Sequence, residues 1–219
     1  MFPPISVIIP TYDRPWLLKK TLESLQENLV YRGLIKYYLG FDGENGTGKM
    51  FSGNRDIIAI PGPNNGLGAN LNRLIHAAES DLLFQLDDDH ALCEPLRLDW
   101  HVMKLLEDET SGWIRFMGVA YHDYYGLLDG EYWRVLWKSP DLYIPSNRPH
   151  LKHRRFHDYF GLYEEGITLA ETEEEFCKRC KIKATERRAV TPPDVLIPLD
   201  NISERGWNHS GKSWQIKGR

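Results

Sequence analysis

Cysteine is scarce in this 219-residue chain, with only Cys93, Cys177 and Cys180. Three thiols do not make a disulfide framework, which excludes a stapled secreted domain. No apolar run approaches the roughly 20 residues of a membrane-spanning helix. A basic excess is also lacking. The 27 Lys and Arg against 31 Asp and Glu leave a net charge of −4, which argues against a general nucleic-acid binder. The opening Met1-Phe2-Pro3-Pro4 has none of the basic-then-apolar layout of a secretory leader. Neither an internal repeat nor a low-complexity segment is visible. These absences point to a cytoplasmic, soluble protein folded as a single domain over residues 1–219. Aromatic residues, by contrast, are plentiful: 7 Trp and 11 Tyr suit a sugar-binding cleft and equally an ordinary core.

The first ninety residues alternate between two periodicities. Ile5-Ser6-Val7-Ile8-Ile9 is a β-branched run that reads as a buried strand. Asp13 then serves as a helix N-cap and Pro15 fits the first turn, ahead of apolar residues at Trp16, Leu17, Leu18, Leu22 and Leu25. Further strands are read at 37–41, 57–60 and 82–86, with a helix after Asn64-Asn65-Gly66-Leu67-Gly68. This alternation predicts an α/β fold with a mostly parallel sheet and helices on both faces. Beyond residue 90 the pattern loosens. Residues 95–106 and 171–180 read as helices, and 113–119 and 132–137 as strands of a smaller antiparallel part. The tail from Thr191 reads as loop.

Asp87-Asp88-Asp89 ends the strand 82–86. Three adjacent carboxylates repel one another, and a divalent cation removes the conflict. Hard oxygen donors suit Mg²⁺ or Mn²⁺ better than zinc. The competing reading is a solvated acidic turn, but ligands of open α/β sheets bind at the carboxyl ends of strands, where this triplet sits. Pro10-Thr11-Tyr12-Asp13-Arg14 and Asp42-Gly43 occupy the same kind of position. Each Asp there is either a cap or turn former, or an acceptor for a base N–H or a ribose hydroxyl.

Ser6 to Arg14, Asp42-Gly43, the run Asn65-Gly66-Leu67-Gly68-Ala69-Asn70-Leu71-Asn72 and the Asp triplet together resemble a family 2 glycosyltransferase. The resemblance is dense over residues 5–90 and thinner afterwards. It implies a GT-A fold (Rossmann-like, three-layer α/β/α), a nucleotide-sugar donor with a UDP-sugar as first expectation, a hydroxyl acceptor such as a carbohydrate, Mn²⁺ or Mg²⁺, and inversion. By position, it implies that Pro10, Thr11, Tyr12, Asp13 and Arg14 line the nucleotide pocket and that Asp42 meets base or ribose. Asn65, Gly66, Gly68 and Asn72 would border the donor. Asp87 and Asp88 would lie against ribose and metal, with Asp89 the chief metal ligand. After Asp42 the chain departs from the family, which often has a second acidic residue and a Ser there; this chain has Gly43-Glu44-Asn45-Gly46-Thr47.

The resemblance extends to two later segments. The family's general base lies in an acidic stretch followed by an apolar-x-x-Arg pattern. Thr172-Glu173-Glu174-Glu175-Phe176-Cys177-Lys178-Arg179 has that shape with Glu in place of Asp. An inverting transfer needs a carboxylate to take the acceptor's proton, so Glu173 is the implied base and Glu174 the alternative; the competing reading is a solvated acidic helix start. Late in the chain, His209 matches a family His that reaches back to metal or diphosphate, with Lys212 adding positive charge.

Three other patterns lead elsewhere. Residues 206–213 fit the phosphate-loop spacing letter for letter, but a polar segment precedes them and six residues follow, so the strand and helix that motif needs are missing. Cys177 and Cys180 lack the further ligands of a zinc site and read as half-buried helix cysteines. The basic tract 150–157 reads either as an acceptor-binding lip or as a solvated face. Two rivals to the transferase stand. One is a nucleotidyltransferase, which would carry a glycine-rich basic loop where Thr11 to Arg14 lie. The other is a non-catalytic nucleotide- or carbohydrate-binding module.

Overall fold

In the computed structural model the described residues are 1–43, 51, 53–116, 126–140, 142–186, 191–198 and 207–209. The elements, in chain order, are β1 (Ile5–Thr11), α1 (Pro15–Asn28), β2 (Leu29–Val30), β3 (Ile35–Asp42), β4 (Ile57–Gly62), α2 (Gly66–Ala77), β5 (Leu82–Gln85), β6 (His90–Leu92) and β7 (Leu96–Arg97). They continue with α3 (Asp99–Glu107), β8 (Ser111–Arg115), β9 (Gly126–Asp129), β10 (Tyr132–Val135), β11 (His150–His153), α4 (Arg155–Phe160), α5 (Leu169–Thr185), β12 (Asp194–Pro198) and β13 (Trp207–His209). Among the described residues the central sheet runs β4-β3-β1-β5-β11-β8-β12-β10-β9.

The pleat of β1 assigns its side chains to two layers. Ile5, Val7 and Ile9 join Leu18, Leu22 and Leu25 of α1 and Val102 and Leu105 of α3. Ile8 joins Leu71 and Leu74 of α2, Phe156 and Phe160 of α4, and Phe176 of α5. The result is the expected α/β/α sandwich. β4, β3, β1 and β5 are parallel, β11 is antiparallel to β5 and β8, and the far edge is antiparallel at β12, β10 and β9.

Several local readings are corrected. Asp13 is not the cap of α1: Arg14 occupies that position, with Pro15 just inside. Residues 95–98 are not helical. Leu96 and Leu98 are buried with Arg97 exposed between them, the period of a strand, and β7 pairs with β2. The strands at 113 and 132 are not neighbours, because β12 lies between them. Its short run Val195-Leu196-Ile197 is framed by prolines, which is why the segment reads as loop. The basic tract is neither lip nor solvated face. β11 fills the gap between β5 and β8, and Lys152 is fully buried, donating to Gln85 Oε1 at 2.7 Å beside the ring of Trp113. Burial holds its amine well below the usual lysine range.

Buried imidazole makes the fold acid-sensitive. The Nδ1 of His101 lies 2.9 Å from the Tyr132 hydroxyl, and burial pushes its pKa down to about 4. Unfolded, the ring titrates near 6.5. Between those values the unfolded chain binds more protons, so stability is lost as pH falls through the window. Asp87 and Asp88, whose folded pKa values are raised, act with the opposite sign. The clean comparison is therefore within a pair. The stability difference between His101→Phe and the parent, from urea melts, is expected to move in favour of the variant by about 2 kcal/mol between pH 7 and pH 5.

Candidate active site

β1, β3 and β5 end on the same side of the sheet, and the turn 86–89 follows β5. The His90 N–H closes it by donating to Asp87 O at 3.3 Å. The turn splits the three aspartates. Asp88 points inward and is fully buried. Thr11 Oγ1 donates to its Oδ2 at 2.5 Å, Arg14 pairs with its Oδ1, and Thr21 Oγ1 donates to its carbonyl at 2.8 Å. Asp87 and Asp89 are less buried and group with His90, one donor atom of each of the three lying within 4.8 Å of the others. Burial, then Asp89, Asp88 and Glu173, hold the Asp87 carboxyl well above the usual carboxylate range. Burial likewise pushes Asp88 up to about 6, against the opposing pull of Arg14 and Thr11.

His90 was not singled out in the sequence, although its place directly after the triplet was the available signal. It also starts β6, which pairs antiparallel with β13 so that the backbone of His209 lies opposite that of His90. Thus the implied late histidine is brought to the acidic turn by main-chain pairing. Lys212 lies outside the described residues.

The loop after β1 completes the near side. Pro10 and Thr11 are the buried end of the strand, whereas Tyr12 and Asp13 are exposed. Asp13 has φ +49°, a left-handed conformation that costs energy in any residue with a side chain; it turns the chain sharply from strand to helix and leaves the carboxylate at the surface. Arg14 bridges Asp88 and Asp89, reaching Asp89 Oδ2 at 3.2 Å. Asp42, at the end of β3, is buried and accepts from Arg73 Nη2 of α2 at 2.6 Å. Arg73 is a second residue missed in the sequence.

The Asn65–Asn72 run has a visible task of its own. Gly66 has φ +85°, and the Asn65 carbonyl accepts from Gly166 N–H at 3.0 Å. A Cβ on Gly68 would come 1.9 Å from the Glu164 carbonyl oxygen. Asn72 is buried, with Oδ1 accepting from Tyr163 N–H at 3.0 Å and Nδ2 donating to Tyr163 O and Glu165 Oε1. The run therefore clamps residues 163–166, which lead into α5. Gly68→Ala is expected to cost about 3 kcal/mol in urea unfolding, because backbone rather than a movable side chain blocks the new methyl.

α5 begins with a capping box between Thr168 and Glu171. The Oε1 of Glu173 accepts the Asn147 N–H at 2.8 Å, and its carboxylate is among the charges that raise the Asp87 pKa. Glu174, one step round the helix, pairs with Lys178 Nζ at 2.5 Å and lines an outer groove with Glu171 and Ile182. Arg179 donates to the carbonyls of Phe160 and Leu162, so the apolar-x-x-Arg arginine anchors the approach to the clamped loop. Cys177 and Cys180 are fully rather than half buried, and Cys177 Sγ donates to Pro145 O at 3.1 Å.

Two carboxylates and an imidazole are a donor set for a divalent cation. The oxygens suit Mg²⁺ or Mn²⁺, and the nitrogen favours Mn²⁺ of the two. Among the described residues no helix is long and apolar enough to cross a membrane.

A family model described as Glycosyl transferase family 2 matches residues 6–150. No curated protein sequence matches. Among solved structures, S. aureus TarS is similar at TM-score 0.66 and 15% identity, over 93% of this chain and 36% of TarS. A TarS 1–349 structure in complex with UDP-GlcNAc gives 0.64 at 17% identity, over 90% and 56%. The mannosyltransferase PcManGT from Pyrobaculum calidifontis, in complex with GDP-Man and Mn²⁺, gives 0.58 at 16% identity, over 99% and 61%. These share the GT-A fold, and the present chain spans between 36% and 61% of their lengths.

Proposed function

The chain belongs to glycosyl transferase family 2, and from that premise we propose that it transfers a sugar from a nucleotide-sugar donor to a hydroxyl of an acceptor, with inversion. The observation that carries this is the grouping of Asp87, Asp89 and His90 just after β5, with Glu173 among the charges acting on Asp87. Support for a nucleotide-sugar donor also comes from the similar folds in complex with UDP-GlcNAc and GDP-Man.

Tyr12 and Asp13 are the exposed part of the first loop. In this reading they receive the base, for which a UDP-sugar remains the first expectation. Asp42, fixed by Arg73, accepts from base or ribose. Asp87, Asp89 and His90 hold Mn²⁺ or Mg²⁺, with His209 adjacent along β13. Such a cation supplies positive charge for the departing diphosphate. Glu173 accepts the proton of the acceptor hydroxyl as that oxygen attacks the anomeric carbon from the face opposite the diphosphate. The Asn147 N–H keeps one Glu173 oxygen occupied and so orients the other.

The test is a donor screen that reads released nucleotide, with UDP-, GDP- and other nucleotide sugars and Mn²⁺ or Mg²⁺, on a panel of hydroxyl acceptors. Calorimetric titration with UDP or GDP, with and without Mn²⁺, accompanies it. Cation-dependent nucleotide binding with turnover supports the transferase. Cation-dependent binding with no turnover on any acceptor favours a binding module.

A further inference from the structure

Arg14 sits inside the acidic turn and is shared unequally. One end of its guanidinium is paired with Asp88 Oδ1; the other lies 3.2 Å from Asp89 Oδ2. Asp88 is buried and held from both sides by Thr11 and Thr21, which makes it a fixed anchor. Asp89 is one of the side chains that group with Asp87 and His90 as a cation's donors. The same carboxylate therefore has two claimants. Arg14 retains 37% side-chain exposure, so it is able to pivot about Asp88 and leave Asp89.

Resting on the transferase reading, we infer that Arg14 is an internal counter-cation of the acidic turn, displaced from Asp89 when a divalent cation binds, and that this couples cation binding to the nucleotide diphosphate. A cation at Asp87, Asp89 and His90 brings two further positive charges beside a guanidinium that the buried Asp88 keeps close. Cation alone is thus opposed. A diphosphate adds oxygens that accept from the guanidinium end freed from Asp89, which turns the opposition into attraction. Linkage makes the effect mutual: whatever factor the nucleotide adds to cation affinity, the cation adds to nucleotide affinity.

The experiment is a titration of the full chain with Mn²⁺, free ion being read by electron paramagnetic resonance, alone and with saturating UDP or GDP. The parent is compared with Arg14→Ala and Arg14→Lys. Arg14→Ala is expected to bind Mn²⁺ alone about tenfold more tightly than the parent, with a correspondingly smaller gain on adding nucleotide. Arg14→Lys keeps the positive charge but lacks the planar fork whose two ends reach Asp88 and Asp89 separately, so it falls between them. Circular dichroism reports folding; if Arg14→Ala fails to fold, Arg14→Lys carries the comparison. Variant affinities for Mn²⁺ alone within twofold of the parent, with the same gain from nucleotide, overturn the assignment of Arg14 and leave the transferase reading standing. Absence of Mn²⁺ binding in every protein, even with UDP and GDP, overturns both.

Discussion

Asp89→Ala is expected to lower transfer at least a thousandfold, about 4 kcal/mol of transition-state stabilisation, while the protein stays folded. The size follows from what the side chain offers. Asp89 contributes one of the two carboxylates in the Asp87–Asp89–His90 group, and on the proposed reading the remaining pair would leave a cation under-coordinated. The fold does not depend on it. Asp88, not Asp89, is the buried member that ties Thr11, Arg14 and Thr21 together. Removing Asp89 also removes the like charge that acts most strongly on Asp87, so in metal-free buffer the variant should melt at or above the parent's temperature. Released nucleotide, Mn²⁺ binding and a thermal melt measure the three effects together. Full transfer by this variant would remove the cation from the mechanism.

Glu173→Gln should cost about a thousandfold in kcat, within the range for loss of a general base, with the donor KM changed less than about threefold. The amide is isosteric and its oxygen still accepts the Asn147 N–H, so position survives while basicity is lost. Glu174→Gln is the internal control. That carboxylate pairs with Lys178 on the outer surface of α5, an exposed pair of little energetic weight, and activity should stay within about twofold. Steady-state kinetics on both variants at several pH values separates them. An inactive Glu174→Gln beside an active Glu173→Gln would reverse the roles of the two faces of the helix.

Much of the candidate site was legible because it is local. β1, β3 and β5 are apolar runs of the sort buried in parallel sheets, and their loops carry Thr11 to Arg14, Asp42 and the Asp triplet at the ends where ligands of such sheets bind. What was illegible depends on contacts between distant residues. The tract around Lys152 has the composition of a surface, yet it lies in the sheet because Gln85 gives its amine a partner and Trp113 gives it a ring. β12 is too short, and too closely framed by proline, to announce itself. The different surroundings of Asp87 and Asp88 follow from the turn closed by His90.

The order of residues alone was enough for the layered α/β plan, the family and the chemical type of each candidate group, since strand period, apolar runs and motif spacing are properties of neighbours along the chain. Tertiary structure alone decided that Asp88 is buried and tied to Thr11, Arg14 and Thr21, that His90 groups with Asp87 and Asp89, that Glu173 accepts from Asn147 while Glu174 pairs with Lys178, and that the glycine-asparagine run grips residues 163–166. Each of those distinctions turns on the direction of a side chain toward partners far away in sequence.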